Sequence, residues 1–232
     1  TSSIVGTTAV GHMVYGCAGA QSSTHGYGFG GFHSGNPTPG GDVEADIIEK
    51  FSFSSDGNAT DVGNLIAGAY TPAGAQSSTH GYSFAGANAN GPGPQREVHD
   101  DINKFAFASD GNATDVANMA YTLMYCSGCE SSTNGYVVGG VEGAPNYNQL
   151  NYIQKHNFVA GTNATDIGNL TAVMKAGSAC ASATFGYVCG GTPDGPNASN
   201  RIDKFSFTTD GNASDIADLA VAVDYYPTGH EA

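Results

Sequence analysis

Basic side chains are scarce in this sequence, and tryptophan is absent. The 232 residues include 7 Lys and Arg against 21 Asp and Glu, which makes the formal net charge −14. A protein that binds nucleic acid by neutralising phosphates needs a basic face, and seven cations in so acidic a chain do not easily form one. We therefore expect no direct binding to DNA or RNA.

Long hydrophobic runs are also missing. No stretch approaches the roughly 20 apolar residues needed to cross a bilayer. The opening residues, TSSIVGTTAV, lack both the basic region and the apolar run of a secretory signal. The sequence therefore predicts a soluble chain without membrane insertion, and its start at Thr1 is typical of a processed or partial product.

Glycine, in contrast, is abundant, with 34 residues. There is no Gly-x-y period and aromatic residues reach 10%, so the composition is neither that of collagen nor that of a disordered linker. The glycines must therefore serve a regular, folded structure.

That regular structure is an internal repeat of about 50 residues. One block reads KFSFSSDGNATDVGNL from Lys50, KFAFASDGNATDVANM from Lys104, KHNFVAGTNATDIGNL from Lys155 and KFSFTTDGNASDIADL from Lys204. A second block reads QSSTHGYGFGG from Gln21, QSSTHGYSFAG from Gln76, ESSTNGYVVGG from Glu130 and ASATFGYVCGG from Ala181. Because both blocks keep their order and spacing, the chain contains four copies of one unit.

Each copy reads as short strands joined by turns. In the first copy, Tyr27 and Phe29 alternate with small residues before a glycine pair, and a strand is predicted from Ile48 to Phe53. The Asp-Gly-Asn at residues 56–58 predicts a hairpin turn, and a last strand is predicted over about 61–70. Repeats of about 50 residues with three or four strands are typical of β-propeller blades. We therefore predict an all-β fold, a β-propeller.

The predicted organisation is a single repeat domain over residues 1–232. It comprises an extra strand at 1–15 and repeats at about 16–70, 71–124, 125–174 and 175–232. The extra strand is inferred because residues 7–15 align with the last strand at 62–70, which leaves one strand too many for a closed four-bladed ring. That strand could latch one blade, pair with a neighbouring chain, or belong to a larger propeller.

The repeat resembles a known family. GYGFGG, a loop, IIEKFSF, a turn and a final strand are similar to the Kelch repeat, although the Kelch tryptophan is absent. The segments IxKFSFSSDGNATDVGNL and AGxQSSTHGY are more similar to a degenerate Kelch-like repeat found in virion structural proteins of marine bacteriophages and in uncharacterised bacterial proteins. The resemblance covers residues 16 to 226, and it implies a propeller on a particle surface or tail appendage.

Four of the seven basic residues occur once per repeat, as the lysine before the aromatic pair. We predict one structural ion pair per blade with the aspartates that also recur, because each blade would need its own copy of such a pair. A ring of cations around a ligand is the alternative. The predicted pairs join Lys50, Lys104, Lys155 and Lys204 to Asp61, Asp115, Asp166 and Asp215. On this interpretation Lys104→Met lowers thermal stability.

The Asp-Gly-Asn loops also present a weak candidate for Ca²⁺. Asp56, Asn58 and Asp61 could supply oxygen ligands, but the third copy has Gly161 in place of the first aspartate. Side chains that bond to the turn backbone are the favoured interpretation. We predict no metal and no cofactor.

Histidine and cysteine add little chemistry. His25 and His80 share one repeat position, but Asn134 and Phe185 stand there in the other copies, which excludes a symmetric metal ring. Cys129 and Cys180 also share a position, and a disulfide between neighbouring blades is an alternative to reduced, packed thiols.

No enzyme motif is present in the sequence. The loop candidates His33, Arg96, His99 and Asp100 have no evident catalytic partner. We therefore predict a non-enzymatic virion structural or appendage protein, located on the virion surface or outside the cell, acting in assembly or host-surface attachment. Its predicted partners are other virion proteins and further copies of itself.

Two other functions stay open. The first is a lectin-like propeller that binds host surface glycans between its blades. Its stacking candidates are Tyr27, Tyr82, Tyr136 and Tyr187, although core packing is favoured for them because they fall in predicted strands. The second, less favoured, is a hydrolase or lyase on a propeller scaffold.

Overall fold

The computed structural model describes residues 13–34, 43–88, 96–193 and 197–224, and all regular elements in these ranges are β-strands. In chain order they are β1 (Met13–Tyr15), β2 (Ala18–Gln21), β3 (His25–Phe29), β4 (Phe32–Ser34), β5 (Val43–Glu44), β6 (Ile47–Ser52), β7 (Thr60–Asn64), β8 (Ala73–Gln76), β9 (His80–Asn88), β10 (Glu97–Ala106), β11 (Thr114–Asn118), β12 (Ser127–Glu130), β13 (Asn134–Val138), β14 (Tyr152–Asn157), β15 (Thr165–Asn169), β16 (Ser178–Ala181), β17 (Phe185–Cys189), β18 (Ser199–Ser206) and β19 (Ser214–Val223). Within these ranges, no helix could span a membrane.

Four antiparallel sheets of four strands each form the blades of a β-propeller. Their strand orders are β2-β3-β6-β7, β8-β9-β10-β11, β12-β13-β14-β15 and β16-β17-β18-β19. Each sheet uses consecutive strands of one repeat, apart from β4 and β5, and we call the sheets blades 1 to 4 in chain order. The predicted all-β propeller of four repeats is therefore confirmed.

The first strand of each blade lies innermost, and the inner strands pack side by side. β2 lies beside β8, β8 beside β12, and β12 beside β16. A Cβ added to Gly74 would lie 2.4 Å from the carbonyl oxygen of Gly19, and one added to Gly128 would lie 2.3 Å from that of Gly74. Glycine is therefore required at these two positions, because only a bare backbone lets successive blades approach so closely.

A pair of residues with positive φ follows the first five residues of the second strand in each blade, and in blade 2 the strand continues beyond the pair to Asn88. In blade 1 these are Gly30 (φ 66°) and Gly31 (φ 98°), and in blade 2 Ala85 (φ 57°) replaces the first glycine. The turn directs Gly31 N–H to the carbonyl oxygen of Ala69 at 2.7 Å. It thereby ties this turn to the segment that leads to the next blade.

The described part of the extra strand does not enlarge any four-stranded blade. β1 pairs with β4, which pairs with β5, in a separate three-stranded sheet. The Tyr15–Phe32 pair of that sheet has the same repeat position as the isolated bridge between Tyr70 and Ala87. β1 is thus the connecting segment that precedes blade 1, and residues 1–12 of the predicted strand lie outside the described residues.

Two local predictions were wrong in their lengths. The last strand was predicted over about 61–70, but β7 ends at Asn64, because the chain then leaves for the next blade and Ile66 N–H donates to Asn103 Oδ1 at 3.0 Å. The tight hairpin predicted at 56–58 is instead a longer connection over 53–59. The first difference arises from a contact with the next blade.

Candidate functional site

Three junctions between successive blades share one aromatic arrangement. A tyrosine from the second strand of one blade stacks on the aromatic ring that directly follows the third strand of the next blade. The centroid distances are 4.9 Å for Tyr27–Phe107, 4.5 Å for Tyr82–Phe158 and 4.5 Å for Tyr136–Phe207. These three tyrosines are buried, so they pack the core and are not available to stack on a sugar.

The recurring lysines pair across the same junctions. Lys50 Nζ donates to Asp110 Oδ1 at 2.5 Å, and Lys155 Nζ donates to Asp210 Oδ1 at 2.6 Å. These two lysines therefore form ion pairs with Asp110 and Asp210 instead of the predicted partners Asp61 and Asp166. The pairs join two blades instead of lying within one.

Strand register explains the wrong partners. Lys50 is opposite Thr60, whereas Asp61 is opposite Glu49. Side chains of consecutive strand residues point to opposite faces of a sheet, so Lys50 and Asp61 lie on different faces. Lys155, Lys104 and Lys204 are likewise opposite Thr165, Thr114 and Ser214, while Asp166, Asp115 and Asp215 are opposite Gln154, Asn103 and Asp203.

Two of the four lysines have no such pair among the described residues. The position that would face Lys104 is Gly161, which offers no carboxylate. Lys204 Nζ lies 4.7 Å from the ring centroid of Phe185, in a cation–π contact within its own blade. The junction therefore does not depend on the ion pair for its formation.

A hydrogen bond between an asparagine side chain and the backbone of the preceding blade recurs at each of the three junctions. Asn112 Oδ1 accepts a hydrogen bond from Asn64 N–H at 3.1 Å, and Ala113 N–H donates to the carbonyl oxygen of Asn64 at 2.8 Å. Asn163 and Asn212 make the same contact with Asn118 and Asn169. Sequence reasoning missed this role, although the asparagine stands in all four repeats.

The repeat positions of the calcium candidates bond to different partners, as Asp61 in blade 1 and the counterparts of Asp56 and Asn58 in blade 2 show. Asp61 Oδ1 accepts from Gly63 N–H at 3.1 Å, while Asn112, the counterpart of Asn58, faces the preceding blade and Asp110, the counterpart of Asp56, pairs with Lys50. Within the described ranges, no three His, Cys, Asp or Glu side chains are grouped as metal ligands. The favoured interpretation, turn side chains bonded to the backbone, describes Asp61 itself.

A buried polar acceptor completes each junction, and the sequence analysis missed it. Asn103, Gln154 and Asp203 occupy one repeat position and are all buried. Asp203 Oδ1 accepts from Thr171 Oγ1 at 2.6 Å, and its Oδ2 accepts from Thr171 N–H at 3.0 Å. Arg201 Nε lies 3.1 Å from Asp203 Oδ1, so this carboxylate is neutralised where it is buried.

The inner ends of the blades surround an open funnel of about 730 Å³. The turns between the first and second strands line it with residues Gln21, Ser22, Ser23, Gln76, Ser77, Ser78, Glu130, Ser131, Ser132, Ala181, Ser182 and Ala183. Its polar surface consists of hydroxyl and amide groups and one carboxylate, from Glu130. Blade 4 contributes Ala181 and Ala183 where the other blades carry longer or hydroxylated side chains, so the polar groups concentrate on blades 1 to 3.

Each turn is held in shape by its first serine. Ser22 Oγ accepts from His25 N–H at 3.0 Å, and the same contact recurs at Ser77, Ser131 and Ser182. The second serine of the turn, as in Ser23 and Ser78, is exposed. The structure therefore builds a rigid rim that presents hydroxyl groups to the funnel.

The histidines hold no metal arrangement among the described residues. His25 Nδ1 and His80 Nδ1 lie 2.9 and 2.8 Å from the hydroxyls of Thr24 and Thr79. His156 replaces a phenylalanine of the other copies and is buried beside Tyr82, where burial lowers the pKa of its imidazole. His156 Nδ1 lies 2.9 Å from the carbonyl oxygen of Thr162, which therefore accepts from an Nδ1–H.

The cysteines are thiols. Cys129 and Cys180 form no disulfide, so the alternative of a cross-link between blades is not present in this structure. Burial raises the pKa of the Cys126 thiol to about 12, which makes it unreactive.

The loop candidates of the sequence analysis do not converge on a site. Arg96 forms an ion pair with Glu44, and its guanidinium lies 4.5 Å from the ring centroid of Tyr70. His99 and Asp100 lie within β10, where His99 Nδ1 is 3.6 Å from Asp101 Oδ1. His33 lies in β4. Arg96 therefore fastens blade 2 to the segment before it, and the funnel is the candidate site.

The fold is similar to that of a solved structure. The structure of YjhT matches 94% of this chain and 69% of its own chain, with a TM-score of 0.72 and 12% sequence identity. At that identity the similarity shows the fold alone. No known family model and no curated protein match the sequence, so the resemblance to Kelch and bacteriophage repeats stays a prediction.

Proposed function

We propose that this propeller is a non-enzymatic surface protein of a virion, in its shell decoration or tail appendage, and that it attaches to a host surface through neutral glycans bound at the funnel. The virion location rests on the resemblance of the repeats. The attachment chemistry rests on the funnel, whose rim offers hydroxyl and amide groups from consecutive blades.

The funnel chemistry favours a neutral, hydroxyl-rich ligand. Serine hydroxyls and glutamine amides both donate and accept hydrogen bonds, as sugar hydroxyls do. The net charge of −14 opposes anionic polymers and anionic surfaces. A repeated rim also offers several equivalent contacts, which suits a multivalent polysaccharide better than a single small substrate.

Glycan binding is tested by two serine variants in blade 2. Ser78→Val removes a rim hydroxyl, whereas Ser109→Val removes an exposed hydroxyl in the connection between β10 and β11, away from the funnel. We expect Ser78→Val to weaken binding to a neutral glycan array by about fivefold, the value of one hydrogen bond near 1 kcal/mol. Ser109→Val should bind as the wild type does. Equal binding by all three proteins, or no binding at all, contradicts the attachment site.

The virion location has its own test. Mass spectrometry of purified particles should find this chain in fixed stoichiometry with the other structural proteins. Its absence from particles would remove the virion proposal and leave the funnel proposal standing as that of a lectin.

A further inference from the structure

The aromatic edge of blade 1 is uncovered, unlike its counterparts. Phe51 is 46% exposed and Phe53 51% exposed, whereas Phe105, at the Phe51 position of blade 2, is only 3% exposed. In blades 2 to 4 this aromatic pair is covered by the tyrosine of the preceding blade. Phe51 and Phe53 contact each other, with ring centroids 5.9 Å apart. Blade 1 therefore presents one complete half of a junction.

Blade 4 presents the other half. In blades 1 to 3 a β-branched residue of the last strand packs against the core shared with the next blade, namely Val62, Val116 and Ile167. Its counterpart Ile216 is 46% exposed, and Tyr187, the counterpart of Tyr27, is only partly buried. The side of blade 4 that would receive a following blade is thus uncovered within the described residues.

The two uncovered faces are also matched in charge. Lys204 on blade 4 has the repeat position of Lys50, and Asp56 on blade 1 has that of Asp110, which are the partners of an internal junction ion pair. Lys204 on blade 4 and Asp56 on blade 1 therefore carry the opposite charges that pair at an internal junction.

The two faces do not close on each other in this structure. Added Cβ atoms at Gly74 and Gly128 would collide with the preceding inner strand, but one at Gly19 of blade 1 would meet only its own blade, at the carbonyl oxygen of Tyr27, 3.4 Å away. A cavity of about 310 Å³ extends from Gly19, Phe51 and Phe53 of blade 1 along the inner strands of blades 2 and 3. A partner blade has room at this edge.

We propose that a second copy of this chain fills it, with blade 4 of one copy docked head to tail on blade 1 of the next. The contact repeats the three junctions inside the chain: Tyr187 on Phe53 and Phe51, Ile216 in the shared core, and Lys204 with Asp56. Such a contact joins two different surfaces, so it closes into a ring of two or more copies or extends as an open filament. It does not depend on the funnel or its ligand.

The decisive experiment mixes two variants, each with one of the two docking surfaces disrupted. Phe53→Asp damages blade 1 only, and Ile216→Asp damages blade 4 only; both residues are exposed, so the fold tolerates the change. In sedimentation velocity we expect the wild type to associate with rising concentration and each variant alone to stay monomeric, with affinity lowered at least about tenfold. An equimolar mixture should form a 1:1 dimer that cannot extend, because one intact junction remains.

Two controls make the result specific. Val159→Asp changes an apolar residue that is 89% exposed and lies away from both faces, and it should assemble as the wild type does. Lys204→Asp should weaken assembly, and the double variant Lys204→Asp with Asp56→Lys should restore it, because the restored pair has opposite charges again.

Several outcomes overturn the proposal. A wild type that is monomeric at all concentrations, single-face variants that assemble normally, or a mixture that stays monomeric each exclude the head-to-tail junction. Protection of Phe51 and Phe53 from hydroxyl-radical labelling in the monomer would also exclude it, because the edge would then be covered by the chain's own residues.

Discussion

Tyr136 of blade 3 stacks on Phe207 of blade 4 with ring centroids 4.5 Å apart and ring planes inclined by only 16°. Tyr136 also lies 5.5 Å from Phe205, so one phenol ring contacts both members of the aromatic pair. The same arrangement at Tyr27 and Tyr82 makes the junction between blades the repeated unit of stability.

Removing that phenol should cost much of the protein's stability. We expect Tyr136→Ala to lower the free energy of unfolding by about 3–5 kcal/mol, since it removes a large buried aromatic ring and leaves a cavity. Urea denaturation followed by circular dichroism measures the change. Val159→Ala, at an exposed site, should stay within about 0.5 kcal/mol of the wild type. A small effect for Tyr136→Ala would mean that the junction relaxes to fill the cavity.

The four lysines should differ in their effect on stability. Lys155→Met removes an ion pair whose aspartate is 55% exposed, so we expect a loss of no more than about 1 kcal/mol. Lys104→Met was expected from the sequence to lower thermal stability, but Gly161 provides no partner, so we now expect an unchanged melting temperature. Differential scanning calorimetry measures the melting temperatures of the two variants. An equal decrease in both would contradict the finding that Lys155 has an ion-pair partner and Lys104 has none.

The buried carboxylate of Asp203 should be indispensable to the junction between blades 3 and 4. Asp203→Ala leaves Thr171 N–H without its acceptor and Arg201 without its counter-charge, and we expect about 3–5 kcal/mol of destabilisation. Asp203→Asn keeps the oxygen acceptor and should retain part of that stability. Chemical denaturation measures the free energy of unfolding, which should be highest for the wild type, lower for Asp203→Asn and lowest for Asp203→Ala.

His156 should make the fold less stable in mild acid. Burial lowers its pKa in the folded state below the ordinary value near 6.5, so the unfolded chain binds more protons between those two values. The contribution of His156 to stability is therefore full above about pH 7 and falls as the pH drops through 6.5 toward the folded pKa.

The matched variant for that test is His156→Phe, which restores the residue of the other copies. Melting temperatures measured between about pH 7 and pH 5 should fall less steeply in His156→Phe than in the wild type. Identical slopes would show that this imidazole does not titrate differently on unfolding.

The repeat made the number and type of blades predictable, because two blocks recur in register along the chain. The contacts between blades were not predictable in the same way. Lys50 and Asp61 are near in sequence, yet Asp61 is opposite Glu49, so the two side chains lie on opposite faces of the sheet, and the partner that Lys50 binds, Asp110, is one repeat away. Sequence spacing describes positions within a copy, whereas the junction depends on how copies twist against each other.

The candidate site was harder to predict from the sequence than the fold. The serines of the turns were visible as part of the repeat, but their convergence on one funnel follows from the inner strands packing side by side. The ion pair between Arg96 and Glu44 could not be predicted, because these residues lie far apart in sequence and meet where blades 1 and 2 adjoin.

The close approach of the inner glycines has a consequence for how the molecule comes apart. Because each inner strand packs on the one before it, a blade in the middle of the chain is held on two sides and a terminal blade on one. In such a linear array, structure is lost from the ends inward. In the monomer, blades 2 and 3 have one more junction each than blades 1 and 4, and they should therefore be the last to open.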